Sequence, residues 1–330
     1  MATSRTQIEV LDEGIGEFRT PDPDGYREWV RDHKSRALVS KLMTAQEAVS
    51  RFVKDGDYLC YDCNYLQRGP SALIREVIRQ KKKDLWIAGK FTWVAVHLLV
   101  AAGCASKVDC GFFLFGKAID RFVQEGKAKI FEYSNVVMTL RLQAGAMGLP
   151  FLPVRSFGGT DGFHHSGAKL IRDPYTGQPL TIVPALNPDV ALIHVQQADM
   201  YGNARVFGTG IAHQETAMAS RKVIISAEEI VDVEEIRRDP GRTSIPYYCA
   251  DAVVQAPFGA YPGEVTGYYA SDPAGVIEVV VATLTDNLDP YLEKYVHSVA
   301  NDQEMLEKHV GVAKLLEMQR RVPTKEGYKP

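Results

Sequence analysis

From residue 44 onward, short apolar runs alternate with amphipathic stretches of about ten residues, and this alternation constrains the fold more than any other feature. In "MTAQEAVSRFV", Thr44 is followed three residues later by Glu47, the reciprocal pair of a capping box. Ala45, Ala48, Val49 and Phe52 then fall on one helix face. "DGD" turns the chain into the apolar run "YLCY", and Pro70 opens the helical stretch "PSALIREVIRQ" in the favoured first-turn position. "LWIAG", "KVDC" and "AKIFE" read as strands, separated by the helical patterns "VAVHLLVAAG" and "AIDRFVQEG". "MTLRLQAGAMG" is a helix stopped by Gly148, and "LPFLPV" is extended. The second half repeats the pattern, with buried strands in "LTIVPA", "PDVALIHVQQAD" and "KVIISAEEIV". The alternation predicts an α/β fold with a largely parallel open sheet flanked by helices.

Residues 1–38 stand apart as a polar N-terminal arm, residues 39–320 read as one domain, and 321–330 as a loose C-terminal tail. A chain of 330 residues buries a large core without disulfide or metal staples. The net charge of −3 gives no basic field for nucleic acid. The most apolar run, 93–105, contains His97 and falls short of the roughly 20 residues that cross a bilayer. The N-terminus is polar and unlike a secretory signal, so the expectation is a cytoplasmic protein with no membrane contact. Five scattered cysteines fit free thiols.

Several local patterns invite chemistry. Cys60 and Cys63 have redox or metal spacing. However, no second cysteine pair accompanies them, and the next helix starts only at Pro70, so plain thiols are expected and no metal site. His164 and His165 point opposite ways on an extended chain and rarely share an ion. His194 reads as a satisfied core histidine, and His213 as the start of a helix that it caps. Glu13–Gly16 reads as a solvated part of the arm. In "SFGGTDG", Gly158, Gly159, Thr160 and Asp161 permit backbone N–H groups to converge on an anion or a polarised carbonyl. A flexible turn between the two halves fits the same residues.

The segment 225–269, with "MGLPFLPV", "PDVALIHVQQAD" and the "DGD" turn before a proline-started helix, resembles the α-type subunits of family I CoA-transferases of the glutaconate type. The resemblance runs from about Leu42 to about Lys308 and implies the family I CoA-transferase (α-subunit) fold. It further implies a two-half enzyme that swaps a CoA thioester between two carboxylic acids. The nucleophilic glutamate belongs to the β-type half, so it is expected on a partner chain in a hetero-oligomer, α2β2 or α4β4. Coenzyme A enters as part of the substrate, and no cofactor is implied. Relatives on this fold that act as ring-cleaving acyl-CoA hydrolases or decarboxylases keep a second reading open. A third is a subunit that binds CoA esters without turnover.

The same resemblance places candidate site residues. Asp62, Cys63 and Asn64 stand where the family has Gly-Gly-Phe in its first loop, and Gln67 lies in the same loop before Pro70. Glycines permit close backbone approach, and here side chains stand in their place in a loop expected to bind the substrate or CoA. Phe112 and Phe113, in "GFFLFG", replace a polar pair and suggest a more apolar substrate pocket or a reshaped one. Ser134-Asn135 matches a position that carries a side-chain amide. Asn135 is the expected helper for the thioester oxyanion, with helix capping as its alternative role. Gly158–Asp161 corresponds to a loop beside the site.

Overall fold

The computed structural model describes residues 8–91, 95–112 and 116–322. Its strands are β1 (Val10–Glu13), β2 (Tyr58–Asp62), β3 (Leu85–Gly89), β4 (Ala105–Cys110), β5 (Lys129–Glu132) and β6 (Phe151–Val154). They continue as β7 (Lys169–Arg172), β8 (Pro179–Pro184), β9 (Val190–Ala198), β10 (Ala204–Arg205), β11 (Lys222–Ile230) and β12 (Ala252–Gln255).

The main sheet runs β12-β11-β9-β2-β3-β4-β5, all parallel, with β10 added antiparallel on β9. β9 is buried at every position and β2 likewise, which is why both read as continuous apolar runs rather than alternating ones. The order reverses between β2 and β9, because the chain builds outward from β2 in one direction and from β9 in the other. In open α/β sheets such a switch point leaves a crevice beyond the carboxyl ends of the strands, where ligands bind. The parallel registers bring the strand ends level: Tyr61 faces Gly89, Gly89 faces Cys110, and Cys110 faces Glu132.

A second, four-stranded antiparallel sheet, β1-β7-β8-β6, lies apart. The arm packs on its own chain: Arg19 pairs with Asp189 at 2.6 Å, Tyr26 donates to the Met218 carbonyl, and Lys34 pairs with Asp251 at 2.6 Å. In Glu13–Gly16 the side chains of Glu13 and Ile15 are exposed, while the Gly14 and Gly16 backbone packs on residues 163–168. A Cβ on Gly14 would lie 2.1 Å from the Ser166 carbonyl oxygen.

Several local expectations shift by small amounts. Thr44 and Glu47 form the capping box as read. Pro70 occupies the N-cap of the helix Ser71–Arg79, one residue before the first turn. "SFGGTDGFHH" folds into a one-turn helix, Asp161–His164, capped by Thr160. The helical region after 287 is broken by π-turns at Glu293–His297 and Leu306–Val310. No helix among the described residues is long and apolar enough to cross a membrane.

Candidate active site

The residues just past the carboxyl ends of β2, β3, β4 and β5 build one connected polar site. Asp62 ends β2 and is fully buried. Its two oxygens accept from different loops: Lys90 Nζ, immediately after β3, at 2.7 Å, and Arg68 Nη1 at 3.1 Å. Burial alone would raise the Asp62 pKa, but Lys90 and Arg68 hold it well below the ordinary carboxylate range. Burial likewise works against the charge on Lys90, and Asp62 overrides it, so its pKa is raised.

This cluster fixes the loops around Asn135. Phe91 follows Lys90. Its carbonyl accepts from the Tyr65 amide at 3.2 Å and its amide donates to Asn135 Oδ1 at 2.7 Å. Tyr65, Arg68 and Phe91 all adopt left-handed backbone conformations, with φ of 57°, 55° and 48°. Such non-glycine strain concentrates at functional loops. Ser134, not Asn135, caps the helix Asn135–Met147 by accepting from the Val137 amide. Asn135 is thereby left to bond across to Phe91. Because a backbone N–H must meet the amide oxygen, the Nδ2 end of Asn135 faces away from Phe91. Gly111 makes this approach possible: a Cβ there would lie 2.6 Å from the Asn135 backbone nitrogen. Tyr65, Phe112 and Val136 are exposed apolar side chains on this polar ring.

A second buried network lies one row further along β9 and β11. His194 Nε2 lies 2.7 Å from Glu228 Oε1, and Nδ1 lies 2.9 Å from Ser226 Oγ. Glu228 also accepts from Tyr269 OH at 2.8 Å and from the Phe258 amide at 2.7 Å. Glu228 is thus an acceptor throughout, so His194 donates to it through Nε2. His194 is a satisfied core histidine, as its sequence setting implied. His213 opens the helix His213–Ala219 without a side-chain cap. Burial lowers its pKa, with Asp62 opposing.

Not every predicted residue joins this ring. Cys63 is buried, with Sγ against the Lys90 and Phe91 carbonyls. Asp62 and Cys63 are both buried, and Cys63 lines the narrow cleft beside this loop. Asn64 and Gln67 close a tight turn through paired backbone bonds. Phe113 lies outside the described residues. Gly158–Asp161 is exposed and packs on the antiparallel sheet. The neighbouring Phe157 stacks on Tyr133, two residues before Asn135, which ties that loop to the rim. Lys90, Arg68, Phe91 and Gly111 were missed in the sequence because each acts through a loop register that only strand pairing creates. The thiols of Cys60 and Cys63 are pushed up by burial to about 11 and about 12, and no metal-ligating cluster occurs among the described residues.

A narrow apolar cleft of about 60 Å³ opens beside the first loop, lined by Cys63, Tyr65, Leu66, Pro70, Ala95 and Leu98 among others. A larger groove of about 730 Å³ lies past β12, between Gln255, Phe258, Asn301 and Leu315. It contains none of the predicted site residues.

A doubly wound parallel sheet with a polar site at its switch point defines the class, and residues 42–256 match the Coenzyme A transferase family. The chain belongs to that family. It is 30% identical to the A-type subunit of glutaconate CoA-transferase from Acidaminococcus fermentans, over 85% of this chain and 95% of that protein. It is 34% identical to the A-type subunit of 3-oxoadipate CoA-transferase from Pseudomonas knackmussii, over 71% and 85%. An uncharacterized protein of Archaeoglobus fulgidus is 44% identical over 96% and 72%. The crystal structure of glutaconate coenzyme A-transferase from Acidaminococcus fermentans superposes with a TM-score of 0.80 at 29% identity, covering 85% of this chain and 96% of that one. The crystal structure of a variant of the decarboxylase AibA/AibB gives 0.64 at 28% identity, covering 82% and 98%.

Proposed function

We propose that this chain supplies the acyl-binding half of a two-subunit enzyme that moves CoA from an acyl-CoA to a carboxylic acid. Its partner is a β-type subunit whose glutamate attacks the thioester carbonyl. The acyl group passes to that glutamate as an anhydride and CoA leaves as thiolate. The thiolate then attacks the glutamyl carbonyl, giving glutamyl-CoA and free carboxylate. The observation that carries the reading is Asn135. Its oxygen is held by Phe91, and its amide nitrogen, which meets no acceptor among the described residues, donates to the oxyanion formed in each step. CoA is a substrate here, the enzyme works without a bound cofactor, and it acts in the cytoplasm as an α2β2 or α4β4 assembly. Glutaconate and 3-oxoadipate, named for two relatives, are both dicarboxylic acids, and we extend that substrate class to this chain.

The test is to co-purify the chain with its β-type partner, add glutaryl-CoA, and treat with hydroxylamine or borohydride. A modified partner glutamate supports transfer. An unmodified partner together with net loss of thioester would replace it with hydrolase or decarboxylase chemistry. That second reading is favoured by the likeness to AibA/AibB and by Asp62-Cys63-Asn64 in the first loop.

A further inference from the structure

Arg68 carries a buried guanidinium of which only part is engaged. Its side chain is 1% exposed. Both of its bonds leave from Nη1, to Asp62 Oδ2 at 3.1 Å and to the His194 carbonyl at 3.3 Å. Nε and Nη2 meet no acceptor among the described residues. Together these two nitrogens form the side-on edge of the guanidinium, whose parallel N–H bonds match the two oxygens of one carboxylate.

The surrounding charge favours the same occupant. Arg68 and Lys90 share a single carboxylate, Asp62, and all three side chains are buried. Two cations on one anion leave an excess positive charge, and buried charge is retained only where something compensates it. Glu228, another buried carboxylate at these strand ends, is committed to His194, Tyr269 and Phe258. His213, partly buried and with Nδ1 also lacking a partner among the described residues, lies within electrostatic range of Asp62, Arg68 and Lys90. The whole group sits at the β2/β9 switch point.

We propose that the free Nε/Nη2 edge of Arg68 is a subsite for the distal carboxylate of a dicarboxylic substrate, an inference that rests on the transferase reading. The carboxylate enters when the Asn64–Gln67 turn lifts, accepts both N–H bonds and neutralises the cluster. Arg68 then selects dicarboxylic over monocarboxylic acids.

The test is calorimetric titration of the assembled two-subunit complex with glutarate, monomethyl glutarate and butyrate. Glutarate is expected to bind at least tenfold tighter than either singly charged acid. In Arg68→Lys, which keeps the charge beside Asp62 but loses the two-pronged edge, glutarate weakens at least tenfold and butyrate stays within twofold. With a glutarate acceptor, KM rises at least tenfold while kcat changes less than threefold. Equal affinity of the wild-type complex for glutarate and monomethyl glutarate overturns the proposal, and that comparison needs no variant. Loss of subunit assembly in Arg68→Lys with unselective wild-type binding also overturns it. Selective glutarate binding with no trapped partner glutamate keeps the subsite and removes the transferase reading instead.

Discussion

The Phe91 amide donates to Asn135 Oδ1 at 2.7 Å, and this one bond turns the Nδ2 end of the Asn135 side chain away from Phe91. Asn135→Asp preserves the acceptor and removes the Nδ2 donor. Asn135→Ala removes both. Both variants are expected to assemble with the partner and to lose turnover by at least tenfold, up to the ~3 kcal/mol seen for single oxyanion donors. Steady-state kcat on the co-purified complex checks this. Unchanged turnover in Asn135→Asp would take the amide out of the mechanism.

Gly111 has no room for a side chain. A Cβ there meets the Asn135 backbone nitrogen and Oδ1, both at 2.6 Å. Gly111→Ala must push the start of the helix Asn135–Met147 away from β4. We expect kcat to fall by about tenfold or more while the chain keeps its circular dichroism spectrum. A fully active Gly111→Ala enzyme would show that the spacing between these two elements is not critical.

Asp62 holds Lys90 and Arg68 together, so its removal leaves two buried cations without their anion. Breaking such a buried cluster costs about 3–5 kcal/mol. Urea unfolding of Asp62→Ala is expected to show that loss with an unchanged denaturant slope. A cost below about 1 kcal/mol would mean that the cluster is solvated.

The same cluster dictates a pH dependence at both ends. The Asp62 pKa is depressed in the folded chain, so its stabilisation is present above its unfolded value of ~3.9 and disappears as pH falls toward the folded value. The Lys90 pKa is raised, so its contribution is present below ~10.4 and is lost as pH climbs through the folded value. Thermal melts should therefore show a plateau at neutral pH, a fall below about pH 4 and a fall above about pH 10. In Asp62→Asn both limbs should flatten. Limbs as steep as in the parent chain would assign them to other groups.

All five cysteines are buried and free. Burial pushes Cys60 and Cys249 up to about 11, Cys63 and Cys104 up to about 12, and Cys110 well above its ordinary range. Thiolate is the reactive form, so iodoacetamide at pH 8 should label none within an hour in native chain and five after denaturation. Rapid native labelling at Cys63 would indicate that the first loop opens readily.

The sequence by itself determined the periodic features: alternating strands and helices, the Thr44–Glu47 cap, the free thiols, and the core setting of His194. Each depends on neighbours within a few residues or on apolar spacing, so each is written locally. It also carried the family motifs that located Ser134-Asn135 and the loop at 62–64. Only the tertiary structure decided what those residues do. Asp62 reads as a departure from the family's glycine, and strand pairing sets it level with Lys90 as the anion of a buried cluster. Asn135 reads locally as the oxyanion helper or, alternatively, as a helix cap; Ser134 takes the cap, and a loop 44 residues away, at Phe91, claims the amide oxygen. Arg68 carried no local signal at all. Its half-used guanidinium exists because β9, far along the chain, lays the His194 carbonyl beside β2. Contacts between strands that are distant in sequence follow from sheet order, and sheet order is a property of the whole packed chain.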